Sequence, residues 1–127
     1  MIVVDASAAV AALLNDGDAR TLVASESVHA PHLIDAEVAS ALRRLVRVGT
    51  VNADDGLRCV ETWSHLAVIR YAAATLLQRT WELRERVSAY DAMYVALAEL
   101  LNCALVTADA RLSRAPGLRC PVTVVPD

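Results

Sequence analysis

Three features of the sequence predict an α/β fold with a parallel sheet covered by helices on both faces. Short apolar, β-branched runs alternate with longer segments of helical periodicity from one end of the chain to the other. The longer segments carry their apolar residues at three- and four-residue spacing. Turn signals such as Asn15-Asp16-Gly17 and Gly49 separate the two kinds of segment. No internal repeat, linker or low-complexity stretch interrupts the alternation. At 127 residues the chain is expected to be one domain, 1–127, long enough to bury a proper core.

Taken in order, Ile2 to Val4 reads as a buried strand and Ser7 to Asn15 as a helix closed by the Asn15-Asp16-Gly17 turn. A second helix is expected over Ala19 to Ala24, then a short strand over Val28 to Ala30 ended by Pro31. From His32 to Val48, the residues Ile34, Val38, Ala41, Leu42 and Leu45 fall on one helical stripe, and Gly49 stops the run. Asn52 or Asp54 can cap a helix running to Trp63. Ala67 to Arg70 reads as a strand and Thr75 to Arg86 as a helix. Ser88 to Leu101 is the most helical stretch, followed by a strand over Ala104 to Thr107, a short helix near Arg111 and a last strand over Val122 to Val125.

Composition removes several functional classes. All 12 basic residues are arginine, which excludes a P-loop lysine, a Schiff-base lysine and the lysine of a phospho-acceptor receiver domain. The net charge of −3 argues against a basic nucleic-acid-binding module of the usual kind, although two bound divalent cations would turn it positive. Cys59, Cys103 and Cys120 are odd in number and lack CxxC spacing, so neither a disulfide framework nor a zinc knuckle is indicated and a reducing cytoplasm fits. The apolar stretch Ala8 to Leu14 has no basic residue before it and is broken from the start of the chain by Asp5, unlike a signal peptide. No run is long enough to span a bilayer. Hydrophobic residues make up 56%, which leaves apolar surface for a partner.

Four acids stand where the predicted elements would deliver them to one pocket. Asp5 and Asp109 each follow a strand, at the carboxyl ends where ligands bind in open α/β sheets. Glu37 and Asp91 lie near helix starts. Carboxylates gathered from distant segments repel one another unless a cation neutralises them, and an oxygen-only set suits Mg²⁺ or Mn²⁺. The chemistry expected is hydrolysis of a phosphate ester. Each acid also has a structural reading. Asp5 or Ser7 can cap the first helix, Asp109 the turn at Arg111, and Ser88-Ala89-Tyr90-Asp91 matches a capping box. Asp35 lies about 200° around its helix from Glu37 at 3.6 residues per turn and reads as solvent-facing.

Four segments carry a resemblance that covers essentially the whole chain, in order. They are Val3-Val4-Asp5-Ala6-Ser7, Ala30 to Val38, Tyr90 to Ala98, and Leu105 to Leu112. Together they resemble the successive signatures of PIN-domain ribonucleases, in particular VapC toxins of type II toxin–antitoxin modules. The resemblance implies a PIN-like three-layer α/β/α domain and an endoribonuclease using Mg²⁺ or Mn²⁺ held by Asp5, Glu37, Asp91 and Asp109. It places Ser7 and Thr107 among residues that hold the site by hydrogen bonds on the substrate side. It also implies a homodimer, an RNA substrate, and a cognate VapB-type antitoxin. Some relatives carry a further acid after the position of Asp109, whereas Ala110 to Ala115 contains none.

Arg43, Arg44 and Arg47 form a basic cluster, with Arg111 and Arg114 beyond the last acid. They read either as a solvated face or as a track for the RNA backbone, with Arg111 the candidate substrate contact because it is two residues from Asp109. Trp63, Trp81 and Tyr94 can stack unpaired bases or fill the core. His29, His32 and His65 share no ligand spacing. A partner is expected to bury apolar surface around Leu42 and Leu45. The other classes left open are a metal-dependent phosphatase or DNA nuclease, and a non-catalytic interaction domain.

Overall fold

The computed structural model describes residues 1–127. Five strands, β1 (Ile2–Val4), β2 (Val28–Pro31), β3 (Val68–Tyr71), β4 (Ala104–Thr107) and β5 (Val122–Val124), form one sheet. Every pairing is parallel and the order is β3-β2-β1-β4-β5. The chain steps outward from β1 to β2 and β3, then returns to the other side of β1 for β4 and β5. The order therefore reverses between β1 and β4, and the crevice at their carboxyl ends is where such folds bind ligands. The helices are α1 (Ala6–Leu14), α2 (Asp18–Ser25), α3 (Ile34–Arg47), α4 (Ala53–His65), α5 (Leu77–Glu82), α6 (Ala89–Leu101) and α7 (Ala110–Ser113). None is long and apolar enough to cross a membrane.

The layers follow from where the apolar residues fall. Val3, Val4, Ala30, Leu105 and Val106 are almost wholly buried, as central strands covered on both faces must be. Helix α6 packs across β1, β2 and β4 and buries the run Tyr94 to Ala98, while α1 packs against α3 and β4. Along α3 the buried residues are Ile34, Val38 and Leu42, spaced one turn apart, with basic residues on the opposite face. Gly56 lets α4 approach α3 closely, since a Cβ there would lie 2.9 Å from Val46 Cγ2.

The expected elements are present, with boundaries that move for identifiable reasons. Pro31 belongs to β2 rather than ending it. It pairs with Tyr71 beyond the register shared with β1, so its missing amide interrupts no ladder bond there. The expected helix Thr75 to Arg86 is instead a 3₁₀ turn, Ala73–Leu76, leading into the short α5. After Glu82 the amides of Arg84 and Arg86 bond three residues back, to Trp81 and Leu83, so the chain continues as tight turns. Asn52, not Asp54, caps α4 by accepting the Asp55 amide at 2.8 Å. Helix α6 closes at Asn102 in the left-handed conformation (φ 53°), which turns the chain into β4.

Candidate active site

The four acids come from four elements around the carboxyl ends of β1 and β4, within electrostatic reach of one another. Asp5 follows β1 and is the N-cap of α1, accepting the Ala8 amide at 3.0 Å. It is 5% exposed. Its carboxylate also accepts the hydroxyls of Ser7 (2.6 Å) and Thr107. Burial raises its pKa, and these hydrogen bonds oppose the rise. The same two hydroxyls tie β1 to β4. Ser7 Oγ lies 3.2 Å from Thr107 Oγ1 and accepts the Ala108 amide at 2.8 Å, while Thr107 Oγ1 accepts the Asp109 amide at 3.0 Å. Thr107 is fully buried, so its hydroxyl positions Asp5 and the Asp109 backbone and does not reach a substrate.

Glu37 sits one turn into α3 beside Ile34 and Val38, which anchor the helix in the core. Its carboxylate accepts a 2.6 Å hydrogen bond from the hydroxyl of Tyr94 on α6. Burial raises the Glu37 pKa, the Tyr94 bond opposes this, and the charges of Asp91 and Asp5 raise it further. Tyr94 itself is 1% exposed, and its phenol pKa is pushed up by burial and by Glu37. Asp91 lies in the first turn of α6. Ser88 caps that helix by accepting the Asp91 amide at 3.1 Å, but no bond from the Asp91 carboxylate to the Ser88 amide completes the capping box. The Asp91 carboxylate lines a pocket with Asp109. Its pKa is raised by burial and then by the charges of Asp5 and Asp109, while the Ser88 side chain beside it acts to lower it.

Asp109 differs from the other three. It caps α7 through the Arg111 amide (3.0 Å) and is forked by the Arg111 guanidinium, at 3.1 Å from Nε and 2.9 Å from Nη2. This contact holds its pKa below the usual carboxylate range. Burial thus disfavours the charged forms of Asp5, Glu37 and Asp91, and neighbouring carboxylates add to this at Glu37 and Asp91, while Asp109 already has a counter-charge. The carboxylates lie within electrostatic reach without closing into a shell, since no three acidic, histidine or cysteine side chains converge on one ion-sized point. Their chemistry nevertheless fits a hard divalent cation, because all donors are oxygen and three of the four gain from added positive charge.

Basic side chains flank the acids on both sides. Arg44 lines a groove of about 230 Å³ with Ser7, Glu37 and Ser40. Arg86, Arg111 and Arg114 line a pocket of about 330 Å³ with Asp91 and Asp109. Other expectations are corrected. Asp35 is not simply solvent-facing. It accepts Trp63 Nε1 at 2.8 Å and both Arg70 Nε and Nη2, at 2.7 and 2.8 Å, tying α3 to α4 and β3. Trp63 and Tyr94 are buried and cannot stack on bases, whereas Trp81 is 68% exposed with Arg84 over its ring. Leu42 is 1% exposed and already belongs to the core, so only Leu45 of that pair has surface to offer. His29 bonds Tyr71 (2.7 Å) on the neighbouring strand and takes no part in the acidic site.

A doubly wound parallel sheet with carboxylates gathered at its switch point defines the class, and residues 2–118 match the PIN domain family. Ribonuclease VapC9 of Mycobacterium tuberculosis is 62% identical over 126 residues, covering 99% of both chains. Ribonuclease VapC1 of the same organism is 41% identical over 128 residues, covering 97% of this chain and 96% of the relative. The chain belongs to the PIN domain family and, within it, to the VapC ribonucleases. Among solved structures, a Pyrobaculum aerophilum protein superposes with a TM-score of 0.71 at 25% identity, covering 95% of this chain and 81% of that one. The M. tuberculosis toxin VapC20, described as cleaving the sarcin–ricin loop, shares the fold with a TM-score of 0.63 at 22% identity, over 90% of this chain and 94% of that one.

Proposed function

We propose that this protein is a Mg²⁺- or Mn²⁺-dependent endoribonuclease, the toxin of a VapBC-type module that cleaves cellular RNA and so inhibits translation and growth. The observation that carries the reading is that a chain 62% identical to a named ribonuclease brings Asp5, Glu37, Asp91 and Asp109, from four separate elements, within electrostatic reach of one another around the switch point of its sheet. The metal ligands would be drawn from those four carboxylates. These side chains would hold a divalent cation, which when bound would lower the pKa of a water and offset charge growing on the scissile phosphate.

The side chains around the acids have separable tasks. Ser7 and Thr107 fix the Asp5 carboxylate, and Tyr94 fixes that of Glu37. Whichever of Glu37 and Asp91 is not bound to metal orients the attacking water as general base, a role their raised pKa values favour. Asp91 stands in the first turn of a 13-residue helix whose amino end faces the site, so the helix dipole also favours a phosphate there. Arg44 on one side and Arg111 on the other would meet the RNA backbone in this reading, Arg111 from its present fork on Asp109. A homodimer in the cytoplasm, silenced by a cognate VapB-type antitoxin, completes the reading. VapBC-5 of M. tuberculosis, a member of the VapBC family of toxin–antitoxin systems, shares the fold at a TM-score of 0.58 and 18% identity.

The test is growth. Expression of the wild type alone should arrest a host culture, Asp5→Asn should not, and co-expression of a cognate VapB-type antitoxin should relieve the arrest. Equal slowing by wild type and Asp5→Asn would place the effect outside this site.

A further inference from the structure

The pocket beside Asp91 and Asp109 contains arginines that the acids do not account for. Arg111 is committed to Asp109, and Arg114 acts on Asp109 only through its charge, while neither Arg86 nor Arg114 forms an ion pair. Arg86 lies two residues before the cap of α6, in the turn that follows α5. Its side chain lies across Gly117, where a Cβ would come within 3.0 Å of Arg86 Cδ, Nε and Cζ. Gly117 has φ +82°, a conformation other residues adopt only with strain.

The loop that presents this glycine is held from two helices. Arg79 of α5 donates to the Gly117 carbonyl at 3.0 Å, and the Arg119 amide donates to Glu99 of α6 at 2.7 Å. Arg79 and Glu99 are themselves joined at 2.7 Å. The sequence thus seats one guanidinium over a fixed glycine, leaves it without a carboxylate partner, and turns it to the wall of the acidic pocket. A planar guanidinium with free donors matches the oxygens of a phosphate.

We propose that Arg86, seated over Gly117, and Arg114 form a subsite for the RNA backbone phosphate next to the one being cleaved. This rests on the ribonuclease reading above. A strand whose scissile phosphate lies at the acids carries its neighbour along the same pocket to these arginines, and the subsite selects polymeric RNA over an isolated phosphodiester.

The test is anisotropy of a fluorescein-labelled single-stranded RNA with the full chain, in Ca²⁺ to slow cleavage, across a KCl series. Arg86→Gln should bind more weakly, and its slope of log affinity against log salt should be shallower by about 0.7, the value for one lost phosphate contact on a single strand. Arg58→Gln, an equal loss of charge on α4, should keep the wild-type slope. Gly117→Ala should shift affinity in the same direction as Arg86→Gln without removing a charge, and should it fail to fold, Arg86→Gln decides alone. Wild-type affinity and slope for Arg86→Gln, or equal losses for Arg86→Gln and Arg58→Gln, overturn the subsite. So does an Arg86→Gln variant that binds RNA normally but loses affinity for the antitoxin. Absence of RNA binding by the wild type would instead remove the ribonuclease reading and the subsite with it.

Discussion

Replacing Tyr94 with phenylalanine removes a single oxygen atom from the link between α6 and Glu37. The ring is 1% exposed and keeps its packing, so the change isolates the 2.6 Å hydrogen bond to the carboxylate. A hydrogen bond to a charged group contributes about 1.5–3 kcal/mol. Glu37 is half-buried, and water can take the vacated position, so the expected cost is at the low end, about 1–1.5 kcal/mol. Unfolding entropy near 2.1 cal/mol/K per residue gives about 0.27 kcal/mol/K for 127 residues, and hence a fall in Tm of about 4–6 °C. If the same energy orients Glu37 in the transition state, kcat/KM for RNA falls about tenfold. Thermal melts and a fluorogenic RNA substrate measure both. A Tm within about 1 °C of wild type together with unchanged cleavage would show that Tyr94 does not hold Glu37 in place.

Asp91→Asn keeps the Ser88 cap, because the residue-91 amide remains the donor, and should fold while losing cleavage and the rise in Tm on adding Mg²⁺. Its pH dependence has a definite sign. The folded-state pKa of Asp91 is raised above its ordinary 3.8, so its contribution to stability is present below that value and is lost as pH climbs through the folded pKa. In EDTA at neutral pH the variant should therefore melt at or above wild type, with the advantage shrinking toward about pH 4, and a clearly lower Tm would assign Asp91 a capping role instead. Asp35→Ala strands the buried Trp63 indole N–H and removes the partly exposed Arg70 pair, so urea unfolding should show a loss of about 1–3 kcal/mol with the Mg²⁺ response intact; a loss below about 0.5 kcal/mol would contradict the tie.

Much of this arrangement was legible in the sequence because it depends on local pattern. Apolar runs such as Ile2 to Val4 and Ala104 to Thr107 fix buried strands, and an acid directly after such a run is carried to the carboxyl edge of the sheet. The stripe Ile34, Val38, Leu42 places Glu37 at the margin of the buried face. The competing cap readings also hold, since Asp5 and Asp109 each cap a helix with one oxygen while the other faces elsewhere. Capping and a place in the crevice are compatible for a residue at a strand-to-helix turn.

What escaped depends on distant partners. Tyr94 bonds Glu37 across 57 residues, and Asp35 bonds Trp63 and Arg70 across 28 and 35. Periodicity places Asp35 away from Glu37 but cannot show that α4 and β3 come to meet it. The break after Glu82 was hidden because Leu83 and the arginines around it have good helix propensity, and the docking of Leu83 in the core at 1% exposure overrides that preference. The seat of Arg86 on Gly117 requires a loop that returns from 31 residues away, and no local signal marks it.

The central proposal is that the four acids carry metal-dependent hydrolysis of RNA. Cleavage of a single-stranded RNA by purified wild type and by Asp5→Asn, each in Mg²⁺, in Mn²⁺ and in excess EDTA, tests it most directly. The expected result is internal cleavage by wild type in either metal, none in EDTA, and none by folded Asp5→Asn under any condition. Cleavage undiminished by EDTA, or retained by Asp5→Asn, would contradict it.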